Sequence, residues 1–142
     1  MMEWNKLDRG VYLVNVLGIV YDPKTKKILI GRRENDPHIK KLTWCFPGGR
    51  PKYEESLENG LEREILIKTG LEVKVKKLIF ARTHPEKLEF LSLYYHCEVS
   101  GGMEKAGELL KELKWVKPEE IGKHFTTSVH PEITRYLKTL IA

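Results

Sequence analysis

The chain has 142 residues, of which 41% are hydrophobic and 32% charged, a balance typical of a globular protein with a sizeable core. It contains no apolar run of about 18 residues and no signal-peptide layout at its N-terminus, so we expect one cytoplasmic domain over residues 1–142 with no membrane contact. The net charge of +5 favours anionic partners such as nucleotides, whereas the scattered lysines argue against a nucleic-acid-binding surface.

Residue usage adds two hints. Cys45 and Cys97 lie far apart inside apolar runs, so we interpret both as buried structural thiols rather than as a disulfide or zinc ligands. The chain has no glutamine and few asparagines, while Lys and Glu abound. This bias is typical of proteins from hyperthermophiles.

The first third of the chain alternates strand-like runs with turns. Gly10–Asp22 and Lys27–Arg33 are rich in aliphatic residues and flank the turn PKTK, so they predict a hairpin. A polar loop over Glu34–Lys41 follows. Thr43–Gly49 then predicts a short strand that Pro-Gly-Gly interrupts.

A helix is predicted over Glu54–Gly70, where four apolar residues recur at helical spacing and Gly70 marks the end. Three strands and then two helices are predicted after it: Leu71–Thr83, Lys87–Val99, Leu110–Val116, Lys117–His124 and His130–Ala142. The order strands, helix, strands, helix predicts an α/β fold with a mixed central sheet and helices on its faces.

Seven residues at fixed spacings form one motif: Gly49, Glu55, Arg63, Glu64, Ile65, Gly70 and Leu71. The motif resembles the Nudix box, G-x5-E-x7-R-E-U-x-E-E-x-G-U, where U is a bulky aliphatic residue. The flanking segments WCFPGGR and ELKWVKPEEI match the family as well, so the resemblance covers nearly the whole chain. It implies a Nudix-like α/β/α sandwich. It also implies a hydrolase that cleaves a nucleoside diphosphate linked to another group, such as a nucleotide sugar.

The resemblance also implies roles for single residues. Glu64 matches a metal-binding glutamate, and Glu55 with Arg63 matches a pair that braces the glycine loop against the helix. Gly49, or Gly48 beside it, would lend a carbonyl oxygen to Mg2+ or Mn2+. Glycines allow such close approach of the backbone. Mg2+ typically binds a few carboxylates together with substrate phosphate oxygens, and metal ions can activate the attacking water.

Ile67 and Lys68 stand where the box has its last two glutamates, and the second of these is normally a principal metal ligand. An ammonium about 4 Å from Mg2+ would be repelled by roughly 8 kcal/mol at an effective dielectric near 20. An unchanged metal site is therefore not expected. The substitution leaves open whether the chain still turns its ligand over.

Three alternatives remain for the site. Lys68 can turn away and leave a weaker metal site on Glu64 and loop carbonyls. A carboxylate of the later loop (Glu104, Glu108 or Glu112) can complete the site, and the resemblance favours Glu108, which would then be a metal ligand or base. The ammonium can itself replace part of the metal charge and hold phosphate.

Basic and aromatic residues complete the candidates for ligand binding. Arg32, Arg33 and Arg50 are predicted phosphate clamps, because guanidinium groups match phosphate oxygens. Five aromatic residues are weaker candidates for stacking on a nucleobase: Trp4, Tyr12, Trp44, Phe90 and Tyr95. The five histidines show no metal-ligand spacing, and a role for any of them as a general base is a minor alternative.

Three functions therefore compete. The first is a metal-dependent hydrolase of a nucleotide-type small molecule, and the second is a module on the same scaffold that binds such a ligand without turnover. The third is a nucleic-acid-binding or structural protein, which only the basic charge supports. A homodimer is compatible with all three.

Overall fold

The computed structural model describes residues 9–34 and 43–141. Trp4, Ala142 and all of the predicted loop Glu34–Lys41 except its first residue lie outside this part of the chain. Within it, the elements follow in this order: β1 (Leu13–Asp22), β2 (Lys27–Arg33), β3 (Trp44–Cys45), β4 (Gly48–Gly49), α1 (Leu57–Thr69), β5 (Leu71–His84), β6 (Lys87–Gly102), β7 (Leu110–Val116), a 3-10 helix (Pro118–Glu120), α2 (Ile121–His124) and α3 (Pro131–Lys138).

The strands form one mixed sheet in the order β3-β2-β1-β6-β5, with β4 also paired to β1 and β7 to β2. β1 and β6 run parallel, and the other pairs are antiparallel. The central strand β1 carries Val16, Ile19 and Val20, all 0% exposed, because helices cover both faces of the sheet. The predicted mixed sheet with helices on its faces is confirmed.

Successive side chains along the strands pack into two separate hydrophobic cores, one on each face of the sheet. On one face, α1 packs its Leu61 and Ile65 onto even-numbered residues of β1 and onto parts of β5 and β6. On the other face, Ile121 of α2 and Ile133 of α3 pack onto odd-numbered residues of β1 and onto β2. This arrangement follows from the two-residue period of strands, which sends successive side chains to opposite layers.

Helix α1 begins and ends at recognisable caps. The hydroxyl oxygen of Ser56 accepts a hydrogen bond from the Asn59 N–H at 3.0 Å, which satisfies one of the free donors of the first turn. Gly70 has φ of 74°, and its N–H donates to the Leu66 carbonyl at 2.9 Å. These caps make the helix shorter than the predicted Glu54–Gly70, because Ser56 lies outside it and Gly70 takes the left-handed conformation that favours glycine.

Other predicted boundaries shift as well. β6 continues to Gly102, and the segment predicted as one short helix divides into the 3-10 helix and α2. Cys97 is fully buried, as predicted, and burial together with the nearby Glu62 carboxylate raises the pKa of its thiol to about 12. Cys45 is only half-buried. No helix within the described residues has both the length and the apolar character needed to cross a membrane.

Candidate active site

Two glycines allow the short strand β4 to lie close to its neighbours. Gly48 and Gly49 pair with Leu17 and Val16 of β1. A Cβ atom on Gly48 would collide with the Val16 carbonyl, and one on Gly49 would collide with the Glu64 carboxylate. Only glycine at position 48 allows this approach to the β1 backbone, whereas a side chain at position 49 would have to displace the Glu64 carboxylate.

A chain of ion pairs connects the loop after β4 to α1. Arg63 donates from Nη2 to Glu55 Oε1 at 2.7 Å, from Nη1 to Glu64 Oε2 at 2.5 Å, and to the Arg50 carbonyl at 3.3 Å. The Lys52 N–H also donates to Glu55 Oε1 at 2.8 Å. The structure thus brings Glu55, Arg63 and Glu64 together in the bracing arrangement that the resemblance implies.

These contacts shift the pKa values of Glu55 and Arg63. Hydrogen bonds from Arg63, and to a smaller extent from the Lys52 backbone N–H, lower the pKa of Glu55 from 4.5 to about 2. The hydrogen bonds to Glu55 raise the pKa of Arg63, with Glu64 contributing in the same direction. Both groups are therefore ionised at neutral pH.

Lys68 lies in the last turn of α1, one helical turn after Glu64. Its Nζ is 3.1 Å from Glu64 Oε1 and donates to the Gly48 carbonyl oxygen at 2.5 Å. The two side chains are only 13% and 14% exposed. The ammonium thus lies between a loop carbonyl and the helix carboxylate, which are the kinds of group expected to hold the metal. The carbonyl that it contacts is that of Gly48.

The groups around Lys68 do not fit a divalent metal ion. Both oxygens of Glu64 already accept hydrogen bonds or an ion pair from cations, one from Arg63 and the other from Lys68. Within residues 9–34 and 43–141, no three His, Cys, Asp or Glu side chains come close enough to hold a metal. A dication would have to displace the ammonium, because its positive charge disfavours a second cation nearby.

The later loop does not supply the missing carboxylate. Glu104 accepts from Trp115 Nε1 at 2.7 Å, and Glu112 accepts from Arg32 Nε at 3.0 Å. Glu108 is exposed with φ of 51° and is absent from the cavity wall that contains Glu64. Its predicted role as a metal ligand or base therefore gains no support from its position.

Backbone hydrogen bonds explain where this loop lies. The N–H groups of Met103, Lys105 and Gly107 donate to the carbonyls of Gly70, Thr69 and Lys68, respectively, at 2.8–3.0 Å. These bonds satisfy carbonyl groups at the C-terminus of α1, where a helix lacks internal partners. The loop is thus fixed to the end of α1.

A cavity of about 420 Å³ opens beside Glu64 and Lys68. Its wall includes Gly48, Gly49 and the basic side chains of Arg33, Arg50 and Lys68, and much of the rest of the wall is aromatic or aliphatic. The remaining lining residues are Asn15, Leu17, Trp44, Cys45, Phe46, Pro47, Glu64, His84, Phe90, Ser92, Tyr94, Leu109, Leu110, Phe125, Thr127, Ser128, Val129, His130 and Ile133.

Several aromatic residues of the wall belong to the core beneath α3. The Phe46 ring packs edge-on against Tyr94 and Phe125, at centroid distances of 6.1 and 4.9 Å. Arg50 Cζ lies 5.4 Å from the centroid of the Phe90 ring, within range of a cation–π contact. Basic and aromatic side chains of the wall therefore lie next to each other.

The predicted aromatic and basic candidates divide between the cavity and other places. Phe90 and Trp44 line the cavity, whereas Tyr95 is buried in the core on the α1 side. Tyr12 is 55% exposed and does not line the cavity. Arg32 is also absent from the wall and pairs with Glu34 at 2.6 Å as well as with Glu112. Both carboxylates raise the pKa of Arg32, and Glu34 makes the larger contribution.

A group of polar residues in the cavity wall near the end of β5 was not predicted from the sequence. His84 Nδ1 lies 2.6 Å from Glu86 Oε2, and Glu86 Oε1 accepts from the Ser128 N–H at 3.0 Å. Thr127, Ser128 and His130 reach the wall from the segment before α3. The sequence indicated only a turn at HPE in this region. That turn does not indicate that the segment before α3 lies next to it.

Comparisons with known proteins agree with this architecture. A NUDIX domain model matches residues 11–137. The MutT-like protein of Streptomyces ambofaciens is 27% identical over 113 residues, which are 80% of this chain and 69% of that protein. The ADP-ribose pyrophosphatase of Methanocaldococcus jannaschii is 35% identical over 105 residues, 72% of this chain but less than two thirds (60%) of its own length.

The fold also matches solved structures. The crystal structure of a NUDIX hydrolase from Nitrosomonas europaea superposes with a TM-score of 0.73 at 21% identity. The match covers 90% of this chain and 71% of that one. This similarity shows the fold, and the domain match over residues 11–137 shows that the chain belongs to the NUDIX family.

Proposed function

We propose that this chain is a NUDIX hydrolase whose substrate is a nucleoside diphosphate linked to another group, such as a nucleotide sugar. The observation that carries the proposal is the cavity whose wall combines two glycines and three basic side chains with aromatic side chains. Its volume of about 420 Å³ falls within the usual range of about 300–1,000 Å³ for small-molecule sites.

Two groups of lining residues suit two parts of such a substrate. Arg33, Arg50 and Lys68 can pair with phosphate oxygens, and the backbone at Gly48 and Gly49 leaves room for them. The aromatic side chains suit a flat nucleobase, because aromatic rings pack well on one another. A nucleoside diphosphate carries both kinds of group in one molecule.

Hydrolysis would proceed by attack of a water oxygen on one phosphorus of the diphosphate. The bridging P–O bond breaks, and the leaving phosphate takes the electron pair. The water proton passes to a base, for which His84 is our candidate, because its ring lines the cavity and the Glu86 carboxylate lies 2.6 Å from its Nδ1. Lys68 and the two arginines stabilise the charge that develops on the phosphate oxygens.

Binding without turnover is the second candidate function. The contacts of Lys68 with Glu64 and Gly48 favour it, since they occupy groups that would otherwise be available to a catalytic metal. In this alternative, the same cavity holds the same class of ligand, but no water is activated. The two functions differ in product formation and not in affinity.

Parallel binding and turnover measurements separate the two candidates. Calorimetry and product release should be measured with ADP-ribose, chosen because of the archaeal relative, and with a UDP-sugar and a nucleoside triphosphate. Hydrolysis predicts release of a nucleoside monophosphate from at least one of them. Binding of one probe without product would favour the second function, and failure to bind any of the three would reject both.

The role of His84 has its own test. His84→Gln should lower kcat by on the order of a hundredfold and leave KM nearly unchanged, because the ring moves a proton but does not hold the phosphates. The matched control is His124→Gln, since His124 is absent from the cavity wall. A large rise in KM with unchanged kcat would contradict the assignment. The cytoplasmic location and a homodimer remain predictions, and light scattering after gel filtration measures the oligomeric state.

A further inference from the structure

We propose that the Lys68 ammonium takes the place of a divalent cation, so that this NUDIX module holds the phosphates of its ligand with a covalently fixed charge and without metal. The inference deepens the proposed function and relies on it only for the class of ligand. The arrangement of charges around Lys68 can be tested by itself.

The position of the ammonium is the first argument. Nζ contacts the Gly48 carbonyl at 2.5 Å and Glu64 Oε1 at 3.1 Å, so it joins the glycine loop to α1. A bound cation would be expected to make the same connection. The side chain is 13% exposed, and its position is therefore not that of a lysine extended into solvent.

The donors of the ammonium give the second argument. A lysine ammonium has three N–H donors and no acceptor. Gly48 and Glu64 account for two of them, which leaves one for a phosphate oxygen in the cavity that Lys68 lines. Arg50 and Arg33 line the same cavity and can add charge. The local arrangement is thus able to bind an anion without any additional cation.

The rigidity of the surroundings gives the third argument. Arg63 holds the other oxygen of Glu64 at 2.5 Å, so the carboxylate cannot turn freely toward a metal. The Lys68 carbonyl accepts from the Gly107 N–H at 2.9 Å, which fixes the backbone at the last turn of α1. A cation at a helix C-terminus is also favoured by the helix dipole. These contacts keep the ammonium where it is.

Titration with Mn2+ alone tests the replacement without any nucleotide. Wild type should show no Mn2+ binding that depends on Glu64, as measured by electron paramagnetic resonance. Lys68→Glu should bind Mn2+ at least about tenfold more tightly, and Glu64→Gln in that background should remove the gain. Lys76→Glu is the matched control, because Lys76 is exposed on β5 and absent from the cavity wall; it should behave as wild type.

A second variant covers the case in which Lys68→Glu does not fold, which circular dichroism would reveal. Lys68→Met keeps the stem and removes the charge, so its Mn2+ affinity should lie above that of wild type. Equal Mn2+ binding by wild type and the Lys68 variants, whether tight or absent, would overturn the inference. So would Glu64-dependent Mn2+ binding by wild type.

A ligand titration completes the test. ADP-ribose should bind wild type equally well in excess Mg2+ and in excess EDTA, and Lys68→Met should weaken binding on the order of tenfold to a hundredfold. Binding that needs Mg2+ would overturn the inference. If no nucleotide probe binds while the Mn2+ results hold, the proposed function fails and the replacement of the metal by Lys68 stands.

Discussion

The two halves of α1 differ in how far they keep the Nudix pattern. The first half and the loop before it retain Glu55, Arg63 and Glu64, joined by hydrogen bonds of 2.5–3.2 Å. The last turn carries Ile67 and Lys68 where the pattern has two glutamates. The contacts of Arg63 with Glu55 and Glu64, which hold the glycine loop against α1, are thus intact. The two positions that would supply further metal-binding carboxylates are changed.

This difference separates two tasks that one motif combines. Bracing depends on contacts inside the protein, and these stabilise the fold whatever the site binds. Metal binding depends on carboxylates whose charges repel one another unless a cation is present. Lys68 relieves that repulsion permanently, because its ammonium pairs with Glu64 at 3.1 Å.

The largest effect is expected from Arg63→Met. It leaves Glu55 and Glu64 without their shared partner, so the free energy of unfolding should fall by about 3 kcal/mol. Urea denaturation measures the change. Arg135→Met is the matched control and should cost less than about 0.5 kcal/mol, because Arg135 pairs with Glu132 on the surface. Equal losses in the two variants would show that the brace contributes no more than a surface ion pair.

A smaller effect is expected from Lys68→Met. Glu64 keeps Arg63 as a partner, so the unfolding free energy should fall by about 1 kcal/mol, measured in the same way. A loss as large as that of Arg63→Met would contradict the comparison, because the last turn would then be as important for stability as the first half. A gain in stability would indicate that the desolvation of the buried ammonium destabilises the folded protein more than its contacts with Glu64 and Gly48 stabilise it.

The smallest effect is the pH dependence due to Glu55. Its pKa is lowered in the folded protein from 4.5 to about 2, chiefly by Arg63. The stabilisation is therefore fully present above pH 4.5 and is lost as the pH falls toward 2. The difference in unfolding free energy between wild type and Glu55→Gln should narrow over this range. A difference that does not change with pH would mean that Glu55 stabilises the loop by packing and not by charge.

Much of the architecture could be predicted from the sequence, because strands, caps and the glycine loop depend on local chemistry. The predicted Lys27–Arg33 and Leu110–Val116 strands have the same bounds in the structure. The sequence did not determine where helix α1 begins, since the cap at Ser56 depends on a single hydroxyl contact. The terminal helix ends at Lys138, earlier than its apolar pattern indicated.

Site contacts between distant segments were harder to predict. Glu108 was favoured as the missing carboxylate, but backbone hydrogen bonds fix its loop to the end of α1, and its side chain is not in the cavity wall. Arg32 and Arg33 are adjacent in sequence, yet only Arg33 lines the cavity, and the β2–β7 register shifts between these two residues. A sequence pattern without register could not distinguish the two.

The sequence by itself determined the family motif, the order of the elements and the replacement of a glutamate by Lys68, since these depend on residue identity and spacing. Only the tertiary structure decided what Lys68 contacts and which aromatic residues line the cavity. The reason is that these sites depend on contacts between distant segments: β4 packs against α1 at two glycines, and Glu86 contacts both His84 and Ser128. Such contacts depend on how β-strands and loops pack in space, which residue spacing does not specify.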